Sequence, residues 1–175
     1  ALADREGAVQ VEALELLVGH GGPRVRATLL AMLGMADSLR YHVIRALGRL
    51  GAPEAAAPLE TLFGTAPLHE QLEILTALER VGNERSREFL AECLSHSHVE
   101  IRRAAAQGLA SLAGADDMVL LHQLAASPDW VLRSEAARAC GRLNVPAGRP
   151  LLLDLVRDLE PVVARTARAA LAGSA

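Results

Sequence analysis

Apolar residues recur along the chain with a period of 31 residues. Two series of aligned positions carry the period: Leu47, Leu78, Leu109, Cys140 and Leu171, and Leu59, Leu90, Leu121 and Leu152. The alignment runs without a gap from the first of these positions to the last. Self-similarity at a fixed period in this range indicates a repeat architecture, in which each unit buries its apolar face against its neighbours.

Each repeat contains two amphipathic stretches, named here the A helix and the B helix. In one A helix, Ile101, Ala105, Leu109 and Leu112 follow a 4-4-3 spacing, which places them on one face of an α-helix. Copies of the A helix begin near Asp37, Pro67, His98, Asp129 and Glu160. The B helices are predicted over 53–63, 84–94, 116–125 and 147–156. Because the links are short, successive helices are expected to be antiparallel neighbours.

Residue types at the helix ends support these boundaries. Asp37 and Asp129 are suitable N-caps for A helices. Residues suited to a left-handed C-terminal cap follow several A helices: Gly51, Gly82, Gly114 and Asn144.

The predicted fold class is all-α, a right-handed α-solenoid of about five and a half antiparallel helix pairs. Residues 1–36 fit the period poorly and are interpreted as a degenerate N-terminal repeat, whereas 37–171 form the regular repeats. The chain begins at Ala1 and stops part-way through a repeat. We therefore expect a single solenoid domain over 1–175 that belongs to a longer, bacterial protein.

Composition narrows the function classes. Hydrophobic residues make up 51% of the chain and aromatic residues 2%, which suits close helix packing. The net charge of −3 argues against a general nucleic-acid binder, although all 18 basic residues are arginine. Since no uninterrupted apolar run and no signal peptide is evident, we expect a cytoplasmic chain with no membrane insertion and no cofactor.

Three stretches carry a family resemblance: 39–51, 101–112 and 132–143. Each is similar to the "V-R-x-x-A" and "A-L-G-x-L" pattern of HEAT-like repeats of the phycobilisome-lyase type. The resemblance implies a protein-interaction or scaffolding module, with a bilin-lyase-like or protein-modifying accessory activity as the alternative. It also implies a ladder of Asp and Arg between repeats, which the pairs Asp37–Arg40 and Asp129–Arg133 fit.

The outward face of the A helices is the candidate binding surface. Positions opposite the leucines carry Tyr41, Arg45, Arg49, Arg80, Arg103, Gln107, Arg138 and Arg142. The resemblance places this helix on the concave side, so the residues would bind another protein, acidic or extended. The alternative is a solvated face, since Glu73, Glu79 and Glu135 interrupt the arginines. Trp130 would be either an exposed interface anchor or a side chain packed on the preceding turn.

Other reactive residue types do not form sites in the sequence. Cys93 and Cys140 align with leucines and are predicted to be buried and inert. His96 and His98 have no nearby residues to complete a metal site. The pair His69-Glu70 resembles a motif of the HEAT-like deoxyhypusine hydroxylase, but it is not repeated 31 residues later. No catalytic constellation is therefore predicted.

Overall fold

The computed structural model describes residues 9, 11–16, 18–19, 21–34, 39–144 and 146–173, and within these ranges it contains helices and no strand. Asp37, predicted as an N-cap and ladder residue, lies outside them. Residues 9, 11–16 and 18–19 are helical. The helices that follow are α1 (Pro23–Met32), α2 (Arg40–Arg49), α3 (Ala56–Phe63), α4 (Leu68–Val81), α5 (Glu84–Cys93), α6 (Val99–Leu112), α7 (Met118–Ala125), α8 (Trp130–Leu143), α9 (Gly148–Leu155) and α10 (Pro161–Gly173).

The predicted alternation of A and B helices is confirmed. The A helices are α2, α4, α6, α8 and α10, and the last four begin 31 residues apart at Leu68, Val99, Trp130 and Pro161. The B helices are shorter, and short 3-10 turns at Pro53–Ala55 and Ala115–Asp117 lead into α3 and α7. No helix in the described ranges has the length and apolar character needed to cross a bilayer.

The helices pack into two compact units, Ala1–Cys93 and Leu94–Ala175. Leu47, Leu59, Leu78 and Leu90 of the periodic series are fully buried in unit 1. In unit 2, a core cluster contains Leu121, Leu152 and Cys140 of the same series. Within each unit the helix pairs stack as in an α-solenoid, whereas the right-handed twist and the single domain over 1–175 stay predictions.

Small residues allow neighbouring A helices to approach closely. A Cβ atom added to Gly48 in α2 would lie 2.7 Å from the Cα atom of Ala77 in α4. In unit 2, a Cβ atom on Gly141 in α8 would lie 2.6 Å from the Cβ atom of Ala170 in α10. Real Cβ atoms do not come this close, so any side chain at these positions would push the helices apart.

Most of the predicted helix ends are confirmed. Asp129 caps α8, accepting a hydrogen bond from the Val131 N–H at 3.0 Å. Gly51, Gly82 and Asn144 have φ values of 56°, 63° and 48°, in the left-handed region.

The prediction for Gly114 is wrong, because its φ of −108° is extended. The N–H of Gly114 donates to the Asp117 carboxylate at 2.6 Å, which directs the chain into the next turn. The carbonyls of Ala110 and Ala113, at the end of α6, instead accept hydrogen bonds from the guanidinium of Arg142 at 2.9 Å. A side chain from the following A helix therefore caps α6 where a left-handed residue would otherwise do so.

Both cysteines are core residues, as predicted. Cys93 and Cys140 are free and buried. Burial raises the pKa of the Cys93 thiol to about 11 and also raises the pKa of Cys140. Their thiols are therefore poor nucleophiles near neutral pH.

Candidate partner-binding face

The predicted binding residues lie on the outward face of the A helices within each unit. In unit 1, Tyr41 is half-buried, while Arg45, Arg49 and Arg80 are exposed. In unit 2, Arg103 is half-buried, and the exposed members are Gln107, Trp130, Arg138 and Arg142. Their hydrogen bonds divide these residues into two groups, one that ties repeats together and one that does not.

The strongest tie involves Arg133, which was predicted as a ladder residue and not as a binding residue. Its guanidinium bonds both carboxylate oxygens of Asp158 in the next repeat, at 2.7 and 2.9 Å. It also donates to the carbonyls of Ser127 and Pro128, at 2.9 and 3.0 Å. The bond from Arg133 holds the pKa of Asp158 below its ordinary value. Arg133 thus joins the loop before its own helix to the loop before the next A helix.

The predicted ladder pair Asp129–Arg133 is wrong, because each residue bonds a different repeat. Asp129 accepts two hydrogen bonds from Arg103 of the preceding repeat, at 2.8 and 3.2 Å. Burial raises the pKa of Asp129, but the bonds from Arg103 and from the Val131 N–H outweigh it and lower the pKa overall. Arg102 shares the register of Arg133, yet Ser127 stands where the equivalent of Asp158 would be. The neighbouring Arg103 forms the rung instead.

Two further arginines of the predicted set reach back to the preceding repeat. Arg142 caps the end of α6 as described above. Arg49, in the same register three repeats earlier, forms an ion pair with Glu15. The hydrogen bond from Arg49 lowers the pKa of Glu15. Arg49, Arg103 and Arg142 are thus occupied in contacts between repeats.

Tyr41 is held by a hydrogen bond to Glu73 of the next A helix, which raises the pKa of the Tyr41 hydroxyl. Its ring lies 6.1 Å from that of His69, between centroids. Next to it, the Arg40 Nε donates to Glu70 at 2.8 Å, and Glu70 is only 3% exposed. Glu70 occupies the register that apolar residues fill in later repeats. The pair His69-Glu70 therefore belongs to the packing of α4 on α2.

The remaining residues of the face form no tie between repeats. Within the described ranges, Arg45 and Arg80 form no ion pair. Arg138 contacts only Glu135 of its own helix, at 3.1 Å, and 64% of its side chain is exposed. Gln107 is exposed in the same register as Arg45 and Arg138. We name Arg45, Arg80, Gln107 and Arg138 the open residues.

Apolar exposure adds features that the sequence interpretation missed. Trp130 is 39% exposed, and Leu159, in the loop before α10, is 99% exposed. An open apolar groove of about 550 Å³ lies along α7 and includes Val119 and His122. Comparison by register could have revealed the groove, since Val119 stands where the preceding repeat has Glu88.

Comparison with known proteins identifies the repeat. A family model described as HEAT repeats matches residues 1–71 and 117–174. The chain belongs to the HEAT repeat family. This match does not distinguish the phycobilisome-lyase type, which stays a prediction. Comparison with curated protein sequences gave no match.

Three solved structures share the fold at low sequence identity. An engineered protein is 21% identical, with a TM-score of 0.55 over 96% of this chain and 91% of that one. Human deoxyhypusine hydroxylase in complex with glycerol is 19% identical, with a TM-score of 0.51 over 96% and 80%. A designed armadillo repeat protein in complex with the peptide (KR)4 is 15% identical, with a TM-score of 0.59 over 94% and 91%.

HEAT repeat folds are generally protein-binding scaffolds. In this HEAT chain, Arg103, Arg133 and Arg142 join successive repeats, and such contacts set the stacking of each repeat on its neighbour. No group of three or more His, Cys, Asp or Glu residues in the described ranges is placed to hold a metal ion. Side chains for partner recognition are therefore sought among the open residues.

Proposed function

We propose that this HEAT repeat chain is a protein-interaction scaffold that binds its partner on the outward face of the A helices. The observation that carries the proposal is the exposure of the open residues. Arg45, Arg80 and Arg138 present guanidinium groups that no contact between repeats occupies. Arginine on a preorganised helix face suits recognition of carboxylates, because its planar group can donate two parallel hydrogen bonds.

The partner we propose is an acidic protein segment. The designed armadillo repeat protein holds a peptide of alternating lysine and arginine, which supports peptide binding by a stacked-helix fold of this kind. The open cations of the present chain have the opposite preference, so a segment rich in Asp or Glu is the complementary ligand. The resemblance assigns this face to the concave side, where an extended segment could contact several repeats.

Affinity capture from the native cell tests this proposal. The full-length protein with Arg45, Arg80 and Arg138 changed to Glu is compared with the unchanged protein. The variants Arg24→Glu and Arg149→Glu serve as controls, because both residues are exposed on B helices. We expect the triple variant to keep its far-UV circular dichroism spectrum and to lose partners that both controls retain. Retention of the same partners by the triple variant would refute the proposed face.

A further inference from the structure

We infer that the open arginines of unit 1 select an extended, polyproline II-like segment with acidic residues at positions i and i+3. The inference rests on the proposed function and specifies its ligand. Three observations lead to it: the separation of Arg45 from Arg80, the charges that surround them, and the position of Tyr41 beside them.

The separation follows from the stacking of α2 on α4. Residue 76 of α4 shares the register of Arg45, and Arg80 lies one helical turn further on. One turn advances about 6 Å along the axis. The close approach at Gly48 and Ala77 places the two axes near the lower end of the usual spacing, about 8 Å. The attachment points of the two arginines are therefore about 10 Å apart.

An extended segment matches this separation in one conformation. A polyproline II helix has three residues per turn and rises about 3.1 Å per residue, so residues i and i+3 lie on the same side about 9 Å apart. In a β-strand, residues i and i+3 point to opposite sides. In an α-helix they are only about 5–6 Å apart. Only the polyproline II segment presents carboxylates at this spacing toward both guanidinium groups.

The surroundings of the pair favour the same ligand. Glu15 is held by Arg49, and Glu73 is hydrogen-bonded to Tyr41, so both nearby carboxylates already have partners. The half-buried Tyr41 lies one helical turn before Arg45 on α2, with its hydroxyl fixed by Glu73. Polyproline II segments dock on aromatic side chains, which contact the proline rings. Tyr41 is the one tyrosine of the sequence.

Two peptides of equal composition test the inference by NMR at low ionic strength. One carries Glu-Pro-Pro-Glu and the other Pro-Glu-Pro-Glu in the same proline-rich background, so that only the glutamate spacing differs. The signals followed are the arginine Nε–Hε groups. We expect the first peptide to shift Arg45 and Arg80 together and to bind about fivefold more tightly, which is the effect of one additional ion pair.

Substitutions separate this inference from the proposed function. Arg80→Gln should abolish the preference for the first peptide, whereas Arg149→Gln, on a B helix, should leave it unchanged. Equal affinity for the two peptides, or shifts confined to Arg138 and Gln107, would overturn the inference. Neither result would alter the partner-capture test, because that test does not depend on the spacing of acidic residues in the partner.

Discussion

Removal of the Arg133 guanidinium should destabilise unit 2 far more than removal of a neighbouring arginine on the same helix. The side chains of Arg133 and Asp158 are 19% and 9% exposed, so their ion pair is mostly shielded from water. A hydrogen bond to a charged group contributes about 1.5–3 kcal/mol, and two carbonyls also lose their donor. We expect Arg133→Ala to lower the free energy of unfolding by about 3 kcal/mol.

Arg138→Ala is the matched control, because Arg138 lies on the same helix with most of its side chain exposed. Its pair with Glu135 should contribute less than about 0.5 kcal/mol. Urea unfolding followed by tryptophan fluorescence measures both variants, since Trp130 is the one tryptophan and begins α8. In a double-mutant cycle with Asp158→Asn, we expect a coupling energy of about 2 kcal/mol between Arg133 and Asp158. Coupling below about 0.5 kcal/mol would refute the ladder as a source of stability.

The same pair makes stability depend on pH. Because the pKa of Asp158 is lower in the folded chain, its carboxylate stabilises the fold above its ordinary pKa of about 4. This contribution is lost as the pH falls through the folded pKa. The difference in unfolding free energy between the unchanged protein and Asp158→Asn should thus be largest near neutral pH and shrink in acid. A difference that stays constant from pH 7 to pH 3 would contradict the assignment.

Three further predictions concern the packing. The Ser86 hydroxyl is buried without a hydrogen-bond partner, so Ser86→Ala should raise the free energy of unfolding by about 1 kcal/mol in chemical denaturation. Gly141→Val should lower it by about 2 kcal/mol or more, because the new side chain would overlap Ala170. Cys93 and Cys140 should resist a thiol reagent at pH 8 in the folded protein and react after unfolding in urea.

Each of these predictions has a direct control. A stability loss in Ser86→Ala would show that the hydroxyl has a partner in solution. Gly64 has no atom near its missing Cβ, so Gly64→Ala should be neutral or slightly stabilising, and an equal loss in both glycine variants would exclude a packing effect. Rapid labelling of the folded protein would contradict the burial of the two thiols.

The periodicity predicted the helices because each repeat places the same apolar residues against the same neighbours. Cys140 shows how far this reasoning extends: alignment with leucines was enough to predict its burial. The A helix at Trp130 was predicted from its N-cap, and the structure begins it there. Local pattern and tertiary packing agree at these positions, so the sequence is sufficient.

The partners of the arginines could not be predicted in the same way. Register places Arg103 and Arg142 on one face, but it does not determine whether a long, flexible side chain reaches forward, backward or into solvent. Arg103 reaches forward to Asp129, and Arg142 reaches back to the end of α6. Gly114 was misassigned for a related reason, since the cap of its helix comes from a residue 29 positions away. These contacts depend on the separation of neighbouring helices, which one sequence does not encode locally.

The central claim is that the arginines of the A helices divide into residues that join repeats and residues that remain open. Urea unfolding midpoints of single alanine variants, measured by circular dichroism under one set of conditions, test this division most directly. We predict that the midpoint falls clearly for Arg103, Arg133 and Arg142, and stays near that of the unchanged protein for Arg45, Arg80 and Arg138. A similar decrease across all six variants would contradict the division.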